Sequence, residues 1–239
     1  MSDYGLLTKN KNGGTQIDST YRNLSLDESN TSESILFNNI NGASVALTAS
    51  PLVPLVAIRP SATRYVAIKG YHKTGSNFDA FLVHSEYHPW PFSAIDIDWK
   101  SYRENRNASG EDYGLLVYNA SGELCFDNGL DYLKIREVHS ITLNSPIFNN
   151  YLALVLDKKT ITHSNYSNPY YILSRSTYWT ITDPGGSGPP PHSIAMLTVG
   201  VKKVSSTSVS VGWFITHTGG FIYRVNGGFN PTIKLLVCE

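Results

Sequence analysis

Residues 112–127 read DYGLLVYNASGELCFD, and residues 3–18 read DYGLLTKNKNGGTQID. The two stretches align without a gap, shifted by 109 positions. Asp3, Tyr4, Gly5, Leu6, Leu7, Asn10, Gly13 and Asp18 recur as Asp112, Tyr113, Gly114, Leu115, Leu116, Asn119, Gly122 and Asp127, and a tyrosine follows each copy, Tyr21 and Tyr132. An apolar stretch runs into an Asn-x-x-Gly turn and then into a second stretch that ends in Asp. That is the pattern of two short strands joined by a glycine-containing loop. Gly13 and Gly122 fall where a positive φ is needed, and Leu115, Val117, Leu124 and Phe126 give the second copy a loose period of two. Asp18 and Asp127 are read as acceptors for turn amides. One small hairpin is used twice.

The rest of the chain extends the β reading. Apolar or alternating runs occur at 44–48, 55–59, 64–69, 78–84, 94–100, 113–118, 124–127, 132–138, 151–157, 170–173, 178–182, 194–204, 208–216, 221–225 and 232–237. Turn residues punctuate them: Asn41-Gly42, Gly75-Ser76-Asn77, Ser121-Gly122, Asn128-Gly129, Gly219-Gly220 and Asn226-Gly227-Gly228. No window carries a helical period over ten residues, and the polar stretch 25–33 offers at most one helical turn. The expected fold is all-β, an antiparallel sandwich or barrel, with two candidate β domains, 1–110 and 111–239, each opening on a copy of the hairpin. The proline-rich stretch 183–192, DPGGSGPPPH, is read as a loop within the second unit, because its prolines lack the donors a central strand needs.

Composition narrows the function. Lys plus Arg balance Asp plus Glu, and no basic stripe is visible, so nucleic acid is not an expected partner. No apolar run approaches the ~18–20 residues of a membrane-spanning helix, and membrane insertion is not expected. The first residues lack a basic-apolar-small signal pattern, which with Met1 points to synthesis in the cytoplasm. Cys125 and Cys238 make no disulfide framework, and Cys125 reads as a buried thiol.

Four constellations bear on chemistry. His84-x-Glu86-x-His88 has alternate spacing, but on a straight strand its histidines stand about 13 Å apart, too far for one ion. Asp96 and Asp98 share a strand face at a spacing compatible with a glycosidase pair, yet no second acid cluster supports them. No nucleophile elbow and no phosphate-binding glycine loop occur. The chain is therefore read as a non-enzyme with neither metal nor cofactor. The aromatic stretch Tyr87-His88-Pro89-Trp90-Pro91-Phe92 is stiff and ring-rich, suited to a protein interface or a sugar face. A second group contains Tyr166, Tyr170, Tyr171, Tyr178 and Trp179. The candidate binding residues are Tyr87, His88, Trp90, Phe92, Tyr170, Tyr171 and Trp179.

The repeated block, Y-G-L-x-x-x-N-x-x-G-x-x-x-x-D, most clearly residues 113–127 followed by Tyr132-Leu133-Lys134-Ile135, resembles the opening of small tail-tip and tail-fibre-associated proteins of tailed bacteriophages. The resemblance covers about 25 residues per copy and carries no catalytic residue. It implies a virion component of the distal tail, assembled in the host cytoplasm. It also implies other tail proteins as partners, a homo-oligomer with three-fold symmetry as the first expectation, and contact with a host-surface glycan or protein. The first hairpin is the expected docking element, through strand addition. A carbohydrate-binding module or lectin is the alternative reading.

Overall fold

The computed structural model describes residues 7–9, 15–18, 23–36, 42–60, 64–86, 94–104, 107–111, 114–148, 154–163, 166–174, 178–182, 194–218 and 230–239. All regular structure among them is strand. The first half of the chain gives a hairpin, β1 (Leu7–Lys9) and β2 (Thr15–Asp18), followed by β3 (Leu24–Ile35), β4 (Ala43–Ser50), β5 (Leu55–Arg59), β6 (Val66–Thr74), β7 (Asn77–Ser85) and β8 (Ile95–Glu104). The second half gives a hairpin, β9 (Leu116–Tyr118) and β10 (Leu124–Asp127), then β11 (Ile135–Thr142), a small pair β12 (Ile147–Phe148) and β13 (Leu154–Val155), β14 (Lys158–Thr162), β15 (Tyr170–Leu173), β16 (Tyr178–Thr182), β17 (Ile194–Ser205), β18 (Ser208–Thr218) and β19 (Thr232–Cys238).

Two antiparallel sheets form a sandwich. Sheet 1 runs β11-β19-β15-β5-β8-β3, and sheet 2 runs β14-β18-β17-β6-β7-β4, with β16 also paired to β17. Exchanging the two halves leaves both orders unchanged. β3 and β11 are the margins of sheet 1, β8 and β19 come next, and β5 and β15 meet at its centre. In sheet 2 the corresponding pairs are β4 and β14, β7 and β18, and β6 and β17. The six strands also follow one another along the chain in the same order in each half. The duplication announced by the hairpin block therefore extends to the whole strand plan.

The two halves are not separate domains, which corrects the division at residue 110. They share both sheets, joined at β5–β15 through Tyr171 opposite Ile58 and at β6–β17 through Val201 opposite Val66. They also share one core between the sheets, in which Val45, Phe81 and Trp99 of the first half pack with Val199, Trp213 and Leu235 of the second. The rings of Phe81 and Trp99 meet edge-on across the sandwich, 5.4 Å between centroids. A net hydrogen bond is worth about 1 kcal/mol, and each buried Val, Leu or Phe about 1.5–3 kcal/mol. With one register pair per sheet at the seam, packing rather than the ladder holds the halves together.

The inner strands of sheet 1 are buried on both faces. Val56, Ile58, Tyr171, Leu235 and Val237 face sheet 2, while their neighbours Ala57, Tyr170, Ile172, Leu236 and Cys238 belong to a second cluster with Tyr102, Leu24, Leu26 and Leu133. That alternation is the period of two of a pleated strand, and double burial explains why YYIL and IKLLVC read as continuous apolar runs. The second cluster is enclosed where the sheet margins meet. Ser25 of β3 bridges Tyr132, the Leu26 amide donates to the Asp131 carbonyl (2.6 Å), and the Leu133 amide donates to the Leu24 carbonyl (3.0 Å). Residues 131–134 lead directly into β11, the opposite margin of the same sheet. Leu24 and Leu133, equivalent by the 109-residue shift, face each other in this ladder.

β3 overturns the helical-turn reading of 25–33. Its polar side chains at 29–32 are exposed, so no apolar alternation marks the strand, yet its backbone pairs with β8 from Leu24–Glu104 to Ile35–Ile95. Two register shifts interrupt the pairing, and Ser32 at φ 58° takes the second one. β14 was also absent from the sequence reading, and the predicted run 221–225 lies outside the described residues.

Candidate functional site

The hairpin β9–β10 shows what the repeated residues do. Asn119 folds its side chain over the loop: Oδ1 accepts from the amides of Ser121 and Glu123 (both 2.9 Å), an Asx turn. Gly122 has the positive φ the spacing demands, 76°. Gly114, also repeated, packs where a Cβ would stand 2.0 Å from Asn128 Oδ1, and that oxygen accepts from the Leu115 amide. Asp127, 2% exposed, accepts from the Ser109 amide (2.6 Å) and the Gly129 amide (2.8 Å). Burial opposes its ionisation, but these amide donors outweigh the burial and hold its pKa below the ordinary carboxylate value. The Tyr132 hydroxyl accepts from the Asp127 amide (2.6 Å), and its ring stacks on Phe126 at 5.0 Å. Asn23 anchors the hairpin to the first half, with its amide and Nδ2 both donating to the Cys125 carbonyl.

Asn119, Asp127 and Tyr132 are thus spent on the hairpin's own geometry. Beside the exposed loop 120–123 the hairpin turns three large side chains outward: Leu115, Leu116 and Tyr118 are 45%, 44% and 50% exposed. The two leucines are repeated as Leu6 and Leu7. Leu116 and Tyr118 share the exposed face of β9, and Val117 between them is buried on the other. Leu115 departs from the period of two read for it with Val117 and Leu124: those two are each 7% exposed, whereas β9 begins only at Leu116 and leaves Leu115 outside the strand.

The predicted aromatic residues divide into three groups. Tyr87, His88, Trp90 and Phe92 lie outside the described residues, in the connection from β7 in sheet 2 to β8 in sheet 1. Trp179 lies on β16 opposite Leu197. Tyr170 and Tyr171 are on an inner strand of sheet 1 and are only 7% and 4% exposed, so neither is a stacking platform. Tyr170 packs in the second cluster with the Arg59 guanidinium 4.8 Å and the Lys100 ammonium 5.0 Å from its ring centroid. Tyr171 points into the main core, and its hydroxyl meets His163 Nε2 at 2.6 Å. Burial pushes the Tyr171 phenol pKa up.

Asp96 and Asp98 do not form an acid pair. Asp96 is exposed, while Asp98 Oδ2 takes the Arg59 guanidinium (Nε at 2.6 Å) and its Oδ1 takes the Ser32 amide (2.6 Å), fixing the β3 bulge. His84 is buried on β7, and Glu86 serves the Tyr65 backbone. No group of three His, Cys, Asp or Glu residues among the described ones is placed to hold a metal ion. Cys125 and Cys238 are both free and buried, and burial pushes the Cys238 thiol up to about 12. No helix among the described residues is long and apolar enough to cross a membrane. Arg103 went unnoticed in the sequence: it is 3% exposed and pairs with Asp27 at 2.6 Å, while its Nε and Nη2 have no hydrogen-bond partner among the described residues.

No family model, no curated protein and no solved structure matches the chain.

Proposed function

We propose that the chain is a non-enzymatic structural component of a bacteriophage tail, seated at the tip, baseplate or fibre attachment and assembled in the host cytoplasm. One observation carries the reading: the repeated block uses Asn119 and Asp127 to fix its own turns and leaves Leu115, Leu116 and Tyr118 exposed. A hairpin that presents apolar side chains on a fixed backbone loses little conformational freedom on docking. The resemblance of the same block to small tail proteins supports the placement. The partners are neighbouring tail proteins and other copies of this chain, with three-fold symmetry as the first arrangement to test. Contact with a host-surface glycan or protein belongs to the same reading and falls to the β7–β8 connection, which holds Tyr87, His88, Trp90 and Phe92.

The test is incorporation into particles. Gold-labelled antibodies to the chain mark the distal tail in electron micrographs if the reading holds. Deleting residues 2–18, or replacing Leu116 with Asp, leaves a folded protein that no longer enters particles. Absence of the wild-type chain from purified particles by mass spectrometry refutes the tail assignment. Normal incorporation of both variants refutes docking through the hairpins.

A further inference from the structure

The seam between the halves encloses a cavity. Beyond Tyr171 and Ile58, the strands β15 and β5 no longer pair, and the Val56 amide turns to the Tyr71 hydroxyl (3.4 Å) instead of a partner across the seam. The resulting space, about 250 Å³, is lined by Val56 and Ile58 of β5, Ile68 and Tyr71 of β6, Leu173 of β15 and Val201 of β17. All four central strands, two from each half, contribute. Gly70 also borders the space, and a Cβ added there meets no atom within 4 Å. Ser174, exposed at the end of β15, sits at the edge of the space and marks its mouth.

We propose that this cavity is a binding site for a small uncharged apolar molecule, an alkyl chain or a single aromatic ring of up to about ten heavy atoms. The size follows from comparison with a void of about 150 Å³, which holds benzene. The class follows from the lining. A stable water needs two to four polar partners, and each of the three hydroxyls that border this space already has one inside the protein: Tyr71 accepts from the Val56 amide, Tyr171 meets His163 Nε2, and Ser174 accepts from the Lys234 amide. Apolar side chains from all four strands supply most of the wall, the lining that suits an apolar guest. The mouth at Ser174 lets the guest exchange without unfolding. This site is independent of the tail reading.

The experiment is a benzene titration of the full-length protein, followed by methyl NMR and thermal unfolding. The expected result is saturable shifts confined to the methyls of Val56, Ile58, Ile68, Leu173, Val199 and Val201, with Tm raised by about 3 °C at ten times Kd. No saturable shift, or equal shifts at Leu26 and Leu236 in the other cluster, overturns the proposal. Val199→Phe places a ring in the space and abolishes the shifts; a folded Val199→Phe protein that still binds benzene overturns it. Should that variant not fold, Ser174→Trp at the exposed mouth decides. A tenfold weaker or slower binding supports the site, and unchanged binding refutes it.

Discussion

The two halves of the molecule build the same six-strand unit but finish it differently. In sheet 2 the first half ends on β4, whose exposed Ser44, Ala46, Thr48 and Ala49 are small and uncharged, whereas the second ends on β14, which opens with Lys158 and Lys159. In sheet 1 the first half ties β8 to β3 with the Arg103–Asp27 pair, whose guanidinium side is 4% exposed. The second ties β11 to the residue after β19 with the Arg136–Glu239 pair, 42% and 43% exposed. Between β3 and β4 there are seven residues, 36–42, whereas the equivalent span between β11 and β14, 143–157, holds the extra pair β12–β13. The lesson is that the strand plan is held by the positions facing the shared core, while the margins, which stand outside that core, are free to differ.

The largest effects test the sharing of the core. Each half sends one large ring inward from its β7 or β18 strand, Phe81 and Trp213, both fully buried. Phe81→Ala and Trp213→Ala are each expected to cost about 3–5 kcal/mol, measured by denaturant unfolding, and each destabilises the whole chain. Loss of structure in only the mutated half breaks the comparison. Next comes the contrast between the two ion pairs. Asp27→Ala strands a buried guanidinium and costs about 3 kcal/mol. A cost below 1 kcal/mol means Arg103 finds another anion.

Asp127→Ala leaves the Ser109 and Gly129 amides without their acceptor and costs about 2 kcal/mol. Its pH dependence has a fixed sign. The folded pKa lies below the unfolded value of about 3.9, so the stabilisation is complete above that value and is lost as pH falls through the folded pKa. Urea midpoints between pH 5 and 2 measure it: the wild-type chain loses more stability on acidification than Asp127→Asn, and equal slopes contradict the assignment. The smallest effect is at the exposed pair, where Glu239→Ala changes stability by less than about 1 kcal/mol. A cost equal to that of Asp27→Ala erases the difference drawn between the margins.

Much of the fold was legible because alternation and turn chemistry agree. The runs at 55–59, 94–100, 208–216 and 232–237 became β5, β8, β18 and β19, and Gly42, Gly75 and Gly122 take the positive φ their turns require. β3 was illegible because an exposed margin strand needs no apolar face: its pairing is a backbone property, and LSLDESNTSESI shows no period. The depth of the duplication was hidden for the same reason that the halves differ at their margins. A strand plan survives any sequence that keeps apolar residues inward, whereas the hairpin needs Asn119, Gly122 and Asp127 at fixed positions. Tyr170 and Tyr171 were misread because a ring-rich run on a strand buried on both faces has the same composition as an exposed aromatic patch. Leu115-Leu116 was visible as an apolar pair, but its exposure was not, because two adjacent leucines read the same whether or not the protein covers them.

The most direct test of the shared architecture is calorimetry of the intact chain. One shared core predicts a single transition whose calorimetric enthalpy equals the van 't Hoff enthalpy. Two resolved transitions, or a calorimetric enthalpy near twice the van 't Hoff value, mean that the halves unfold separately and contradict the account.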